Sequence, residues 1–321
     1  MKNNENNKFY KTILGNNRFN YIDLGSRGGL SEEWSKVEDV IDIILFEPEA
    51  QEAKKLQELA SNNTTVIPSA VWSFKGEVSF HSLRNPSYSS VLKPDKKVLE
   101  GSYYYCRNFY EIDNVSKVQV DILEDILKDH GIEQMHFLKI DIQGAESYVY
   151  NSITSWADIV GIHTEGYSAK LYEEGNDIAM TLSKLYQYGF ELFDIATIAE
   201  SPIVEVDGDC ISSNSLLGVR PKSGYRARKM VHDMLLFQSQ IESLEKNDSK
   251  FIRRLIFIYC VYDYYDFALQ AAEKAFELGI LQSNEKKEIF KSIKALHQSS
   301  LSFLNRMKEK LKSPSYKLAK R

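Results

Sequence analysis

The chain has 321 residues, 43% hydrophobic and 26% charged, with a formal net charge of −5. On a prior of about 100–200 residues per domain, that suggests one large domain or two, with ample apolar material for a core. The acidic balance, with a pI near 5.8, excludes a global basic field that would draw the chain to nucleic acid. Cys106, Cys210 and Cys260 form no CxxC pair, and their odd number argues against a secreted disulfide framework. The Asn-rich N-terminus has no apolar signal-peptide core. The greasiest run, LIFIYCVY at 255–262, falls far short of the roughly 20 apolar residues of a membrane span. A cytoplasmic chain without a transmembrane segment is expected.

In chain order, YIDLG (21–25) reads as a strand, SEEWSKVEDV as a helix opened by a capping-box Ser31, and IDIILFE (41–47) as a buried strand. PEAQEAKKLQELA is a helix with Pro48 in its first turn, followed by strands TTVIPSAV and GEVSFHS. A long irregular segment covers 83–116. Strand KVQVD, helix ILEDILKDHG, strand MHFLKID, helix GAESYVYNSI and strand DIVGIHTE come next. Helix DIAMTLSKLYQYG ends on Gly189 as its C-cap, and FELFDIA and SNSLLGV (213–219) complete the strands. Such alternation predicts an α/β fold, a parallel-dominated sheet with helices on its faces. From 225 to 321 only helical periodicity is legible, in RARKMVHDMLLFQSQIESLEK and two longer stretches. A boundary near 222 therefore separates residues 1–222 from a helical domain, 223–321.

Ligands in such sheets bind beyond the carboxyl ends of the strands. Gly25, Gly28 and Gly29 lie there in the pattern D-x-G-x-x-G-G, with Asp23 two residues before the first glycine. The dinucleotide fingerprint G-x-G-x-x-G is absent, and a pyrophosphate would be repelled by Asp23, whereas an ammonium or sulfonium would be attracted. Glu47, twenty-two residues after Gly25, ends the second strand, where an acid can accept hydrogen bonds from both ribose hydroxyls. Together these features point to S-adenosylmethionine rather than NAD. A tight structural turn and a helix N-terminal charge are the competing readings of the same residues.

FLKIDIQGAES (137–147) is the second dense stretch. It delivers Asp141 to the same crevice, and the next strand brings His163 and Glu165 to the neighbouring edge. Asp141, Glu165 and His163 are the candidate catalytic residues, as a general base. Asp141 and Glu165 are also a candidate pair for a divalent ion such as magnesium. Lys139 reads as a packing or salt-bridge residue, and Glu146 as a first-turn acid of its own helix. His163 serves equally well as a structural histidine.

IDLGSRGGLSEEW, ILFEPEA, PSYSSVLKP, VQVDILEDIL, HFLKIDIQGAES, TEGYSAKLYEEGN and YGFELFDI occur in the order seen in FkbM-type S-adenosylmethionine-dependent methyltransferases, which residues 18–222 resemble. The resemblance implies a Rossmann-like, seven-stranded class I methyltransferase sheet with its last strand antiparallel. It also implies methylation of an oxygen, usually on a sugar or a polyketide-type natural product. The candidate cofactor-binding residues are Asp23, Gly25, Ser26, Arg27, Gly28, Gly29, Glu47, Pro48, Ala70 and Gln143. Ser26-Arg27 departs from the family's usual Ala-Asn after the first loop glycine, and Arg27 reads as a cofactor contact or a surface salt bridge.

The irregular segment is expected to wall the acceptor site, with Ser89 and Ser90 as hydrogen-bonding groups and Tyr103 and Tyr104 either as stacking groups or, equally, as a lid packed against the domain. The acceptor is expected to be a small molecule or a lipid- or nucleotide-linked sugar, and not nucleic acid. An N-methyltransferase, or a non-catalytic cofactor-binding scaffold recruiting partners through its helical domain, are the alternatives. The C-terminal helices carry apolar faces whose first duty is a helical core, with a residual exposed stripe available for a homo-oligomer or for docking on a glycan-assembly complex. The basic tail RMKEKLKSPSYKLAKR reads first as a solvated or disordered end, with weak attraction to the anionic inner face of a membrane as the lesser reading.

Overall fold

Strands buried along both of their side-chain rows need ladder partners on both edges, and this chain supplies them by interleaving distant segments. The computed structural model describes residues 2–102, 107–201, 204–206, 209–211, 228–246 and 248–312. In chain order come α1 (Lys2–Leu14), β1 (Asn20–Leu24), α2 (Glu32–Ser35), β2 (Asp42–Phe46), α3 (Ala50–Leu59), β3 (Thr64–Ile67), β4 (Ala70–Val71), β5 (Gly76–Leu83) and α4 (Lys96–Ser102). β6 (Ile112–Asp121), α5 (Leu123–Asp129), β7 (Phe137–Ile140), α6 (Glu146–Ser152), β8 (Gly161–Tyr167), α7 (Ile178–Tyr186) and β9 (Phe190–Ser201) follow. The last elements are β10 (Val204–Val206), β11 (Asp209–Ile211), β12 (Arg228–Gln238), α8 (Gln240–Glu245), α9 (Ser249–Val261), α10 (Tyr265–Glu277) and α11 (Ser283–Lys312).

Two compact units result, one of 20–30 and 42–239 and one of 1–19, 31–41 and 240–321. In the first, seven strands are ordered β3-β2-β1-β7-β8-β12-β9. β1, β2, β3, β7 and β8 run parallel, and β12 is antiparallel to both of its neighbours. This is the seven-stranded arrangement with an antiparallel last strand that the resemblance implies. Side chains alternate across each strand, so Ile22, Leu24, Leu138, Ile140, Ile162, Met234 and Leu236 share one apolar row. They pack with Leu123 and Leu127 of α5, Val149 and Tyr150 of α6, and Leu185 of α7. The Tyr150 hydroxyl donates to Thr164 Oγ1 at 2.7 Å, which satisfies a polar group buried in that core.

Beside it, β4, β6 and β5 form a three-stranded sheet with a core of its own. The segment expected to be irregular contributes Leu83, Leu92, Leu99 and Tyr110 to that core, together with Tyr167, Leu171 and Tyr172. It also holds α4 and the first half of β6.

The helical unit joins α1 and the α2 segment to α8–α11. Phe251, Ile252, Leu255, Ile256 and Tyr259 of α9, Ala268 and Ala271 of α10, and Ile289 and Ile293 of α11 are buried, as are Ile13, Phe19 and Trp34. The Arg253 guanidinium caps the end of α1 by donating to the carbonyls of Thr12 and Ile13, and it pairs with Glu285 at 2.6 Å. No described helix is long and apolar enough to cross a membrane.

Three local expectations are corrected. Residues 228–238, read as helix, form β12, because slots between β8 and β9 offer a ladder on both edges. Ser31 makes no side-chain capping bond, and its helix is a single turn, Glu32–Ser35. Pro48 lies ahead of the helix that begins at Ala50, with Glu49 as N-cap. The boundary expected near 222 and the strand expected at 213–219 lie outside the described residues.

Leu138 is fully buried in the central strand β7. Leu138→Ala should cost about 2–5 kcal/mol of stability, measured by urea unfolding of both proteins.

Candidate active site

A cavity of about 230 Å³ opens at the carboxyl ends of β1, β2, β3 and β7. Its floor depends on one backbone contact. Gly25 takes φ +87°, and a Cβ there would stand 2.0 Å from the Asp141 carbonyl oxygen, so only glycine lets the two loops meet. The Gly25 and Ser26 amides donate to the Phe46 carbonyl at 3.1 Å, joining the loop to the end of β2. Gly28 and Gly29, each at φ +85°, finish the turn, with the Gly29 amide donating to Ser26.

Glu47 is buried against this loop and lines the cavity. Its Oε1 accepts from the Glu49 amide at 2.8 Å, while Oε2 has no donor among the described residues. Burial raises its carboxyl above the ordinary range, against the Glu49 hydrogen bond and the charge of Arg27. Pro48, Ser69, Ala70 and Val71 continue the same wall, and Phe80, Ser87, Ser89, Ser90 and Val91 face it. Arg27 also lines the cavity and forms a surface ion pair with Glu49.

Asp141 and Gln143 close the far side. Gln143 Nε2 donates to Asp141 Oδ1 at 2.7 Å and to Glu165 Oε2 at 3.1 Å, and the Tyr167 hydroxyl donates to the same Glu165 oxygen at 2.6 Å. Burial raises the Asp141 carboxyl, opposed by Lys139 and by the Gln143 bond. Glu165 is raised further, by burial first and then by the charge of Asp141. Both carboxylates are thus tuned upward, as groups that take protons are.

Beneath the loop, fully buried Asp23 accepts from Lys139 Nζ at 2.9 Å and from the Tyr21 hydroxyl at 3.0 Å. Burial pulls the Lys139 ammonium down, but Asp23, Asp141 and Glu165 together hold it above its ordinary value. Lys139 is therefore the buried counter-charge of the acidic edge. Glu146 braces the other loop, its Oε1 accepting from the amides of Ile142 at 3.3 Å and Gly144 at 3.1 Å.

Of the residues expected here, Gly25, Arg27, Glu47, Pro48, Ala70, Ser89, Ser90, Asp141 and Gln143 line the cavity. Ser26, Gly28 and Gly29 shape the turn without lining it, the Ser26 hydroxyl being spent on the Phe46 carbonyl at 3.0 Å. Asp23 lies under the loop, Glu165 lies behind Gln143, and His163 bonds Asp233 at 2.5 Å; none of the three lines the cavity. Ser89 and Ser90 brace the wall, accepting from the Leu83 and Leu92 amides, and Ser90 also donates to the Gln143 carbonyl at 2.9 Å. Tyr103 and Tyr104 lie outside the described residues. The magnesium reading finds no support: among the described residues no three His, Cys, Asp or Glu side chains converge, and an amide bridges Asp141 to Glu165.

Phe80, Val91 and Tyr172 were not singled out in the sequence. Phe80 belongs to an alternating strand, a signal for burial but not for a site. Tyr172, whose hydroxyl is 3.0 Å from Gln143 Oε1, lies in the quoted block TEGYSAKLYEEGN, which marks the stretch but not this residue.

Glu146 carries a testable pH signature, because burial lifts its carboxyl to about 7. A carboxyl raised in the folded state adds stability that is present below the ordinary carboxylate range and is lost as pH rises through about 7. Glu146→Gln should therefore lose less thermal stability than wild type between about pH 5 and 8, measured by calorimetric melts.

None of the curated proteins matches the chain. Among solved structures it aligns with precorrin-6y C5,15-methyltransferase from Geobacter metallireducens GS-15, at 8% identity over 73% of this chain and 87% of that one, with a TM-score of 0.33. It aligns with the 23S rRNA methyltransferase ErmE at 10% identity over 91% and 97% of the two chains, with a TM-score of 0.31. The B. subtilis M1A22 tRNA methyltransferase TrmK gives 11% identity over 90% and 97%, with a TM-score of 0.25. Likenesses this loose carry no argument. The profile of the Methyltransferase FkbM domain matches residues 10–192, which takes in the glycine loop, Glu47, Asp141 and Glu165. The chain belongs to the FkbM methyltransferase family.

Proposed function

We propose that the chain is an S-adenosylmethionine-dependent O-methyltransferase whose acceptor is a hydroxyl of a small polar molecule, a sugar of a surface glycan or a natural product. One observation supports it above the others: Glu47 lines the cavity beside a turn that only glycine permits, and among the described residues its Oε2 accepts no hydrogen bond. A carboxylate oxygen so placed at the end of β2 suits the ribose hydroxyls of an adenosine. Pro48, Ala70 and Val71 offer an apolar wall for a base. The acidic edge, Asp141 with Glu165 behind it, favours a cationic methyl donor over a pyrophosphate.

When bound, S-adenosylmethionine supplies an activated methyl group on a sulfonium. The chain's own task is then to position the acceptor and to take its proton. Fixing two reactants in register contributes as much as about 7–11 kcal/mol to lowering a barrier. Asp141 lines the cavity and is the group placed to accept a proton from an acceptor hydroxyl, which adds about 10²–10⁴-fold. The lining side chains that carry charge are Arg27, Glu47 and Asp141, and Arg27 is already paired with Glu49. Such a wall favours a neutral acceptor over a phosphorylated one.

Calorimetric titration with S-adenosylmethionine, S-adenosylhomocysteine and NAD tests the cofactor. Binding of the first two and no heat from NAD is expected, and no heat from any of them would sink the proposal. Glu47→Ala should weaken S-adenosylhomocysteine at least about tenfold, the loss of hydrogen bonds to a charged group. Asp141→Asn should retain the cofactor and lose methyl transfer to screened glycan fragments, followed by mass spectrometry.

A further inference from the structure

Gln143 holds a position that costs energy. Its backbone takes φ +57°, a left-handed conformation that a non-glycine residue adopts at the expense of strain, and its side chain is buried. All of the amide's main hydrogen-bonding capacity is used. Nε2 donates to Asp141 and to Glu165, Oε1 accepts from the Tyr172 hydroxyl, and the backbone carbonyl accepts from Ser90. The orientation of the amide is therefore determined, because the reverse would set Oε1 against two carboxylates. The Tyr172 hydroxyl has one proton for two acceptors, Gln143 Oε1 at 3.0 Å and the Tyr88 carbonyl at 2.8 Å, and divides it between them. Gln143 is thus the point where the two acids of the sheet edge meet the 83–93 segment.

We propose that Gln143 is a positioning residue: it clamps Oδ1 of Asp141 so that Oδ2 is the atom that receives the acceptor's proton, and Tyr172 and Ser90 lock the acceptor-side segment to the same clamp. The inference rests on the methyltransferase reading above and deepens it. In the step, the acceptor O–H bond breaks and its proton goes to Asp141 Oδ2. The oxygen's electron pair forms the new bond to the methyl carbon, and the pair of the broken carbon–sulfur bond stays on sulfur. Among the described residues Asp141 Oδ2 accepts no hydrogen bond, which leaves this oxygen for the incoming proton.

The charged and titratable groups around Asp141 come from five elements. They are Lys139 on β7, Asp23 on β1, Glu165 and Tyr167 on β8, Asp233 on β12 and Glu146 on α6, and Tyr172 joins them from the segment after β8. The charge of Lys139 and the hydrogen bond from the Gln143 amide favour the ionised form of Asp141, against burial and the charges of Asp23 and Asp233. A glutamate in place of Gln143 would bring a third carboxylate against two others. A methionine would keep the length and remove both donors.

The test is a ¹³C-carboxylate NMR titration of the full chain, with the Asp141 resonance assigned from Asp141→Asn. In Gln143→Met the Asp141 midpoint should move to higher pH, because a donor to the ionised form is lost. Tyr172→Phe, which keeps the ring and removes the hydroxyl, should move it the same way by less, and it serves if Gln143→Met fails to fold. An unmoved midpoint overturns the proposal. So does a loss of S-adenosylhomocysteine affinity with the midpoint unmoved, since Gln143 would then be a cofactor ligand instead. The same calorimetry on the wild-type chain separates the two readings. Absence of heat there removes the proposed cofactor, while the NMR midpoints still decide the clamp.

Discussion

The approach of the turn after β1 to the loop after β7 is the constraint on which the site depends. A side chain at residue 25 would overlap the Asp141 carbonyl, so the absence of a single Cβ sets how close Glu47 and Asp141 stand across the cavity. In the same strand Asp23 pairs with Leu45 on one side and Lys139 on the other. Tightening this edge places a glycine turn, two acids and an amide around one small space. It also commits the chain to burying charge.

Burying charge is costly unless each charge is paired or hydrogen-bonded, and the sheet edge answers in two ways. Asp23 and Lys139 neutralise one another beneath the loop, with the Tyr21 hydroxyl as an added donor. Asp141 and Glu165 share an amide in place of a second cation, which leaves both carboxyls raised. Glu146 is a third case: two backbone amides hold it, and burial still outweighs them. The gradient runs from a compensated pair under the floor to under-compensated acids at the cavity, a distribution that suits proton acceptance where substrate would lie.

The wall opposite these acids shows how local pattern and tertiary role diverge. Residues 83–116 have no period and read as a loop, yet Leu92, Leu99 and Tyr110 are core residues of the three-stranded sheet. Isolated apolar residues spaced irregularly bury well when a neighbouring sheet supplies the partner surface, and no window of sequence reveals that. β12 is the converse case. MVHDMLLFQ satisfies a helical period locally, but in place it contributes Val231, Met234, Leu235, Leu236 and Phe237 to the buried interior between two strands. Ladder partners on both edges outweighed local propensity.

By itself the sequence determined the alternation of strands and helices, the glycine turn with its preceding acid, the acid ending β2, and the family. Each of these is written in short windows, in a period of residues or a fixed spacing, because backbone geometry is local. Tertiary structure alone decided which of the nominated acids reaches the cavity. Asp141 does, Glu165 stands behind Gln143, and Asp23 is spent on Lys139. It also decided that Ser89 and Ser90 brace the wall, and that Asp141 and Glu165, twenty-four residues apart, together set the orientation of the Gln143 amide. Those outcomes depend on which side chains meet across strands distant in sequence. Burial and pairing energies act between such neighbours, and the order of residues along the chain does not contain them.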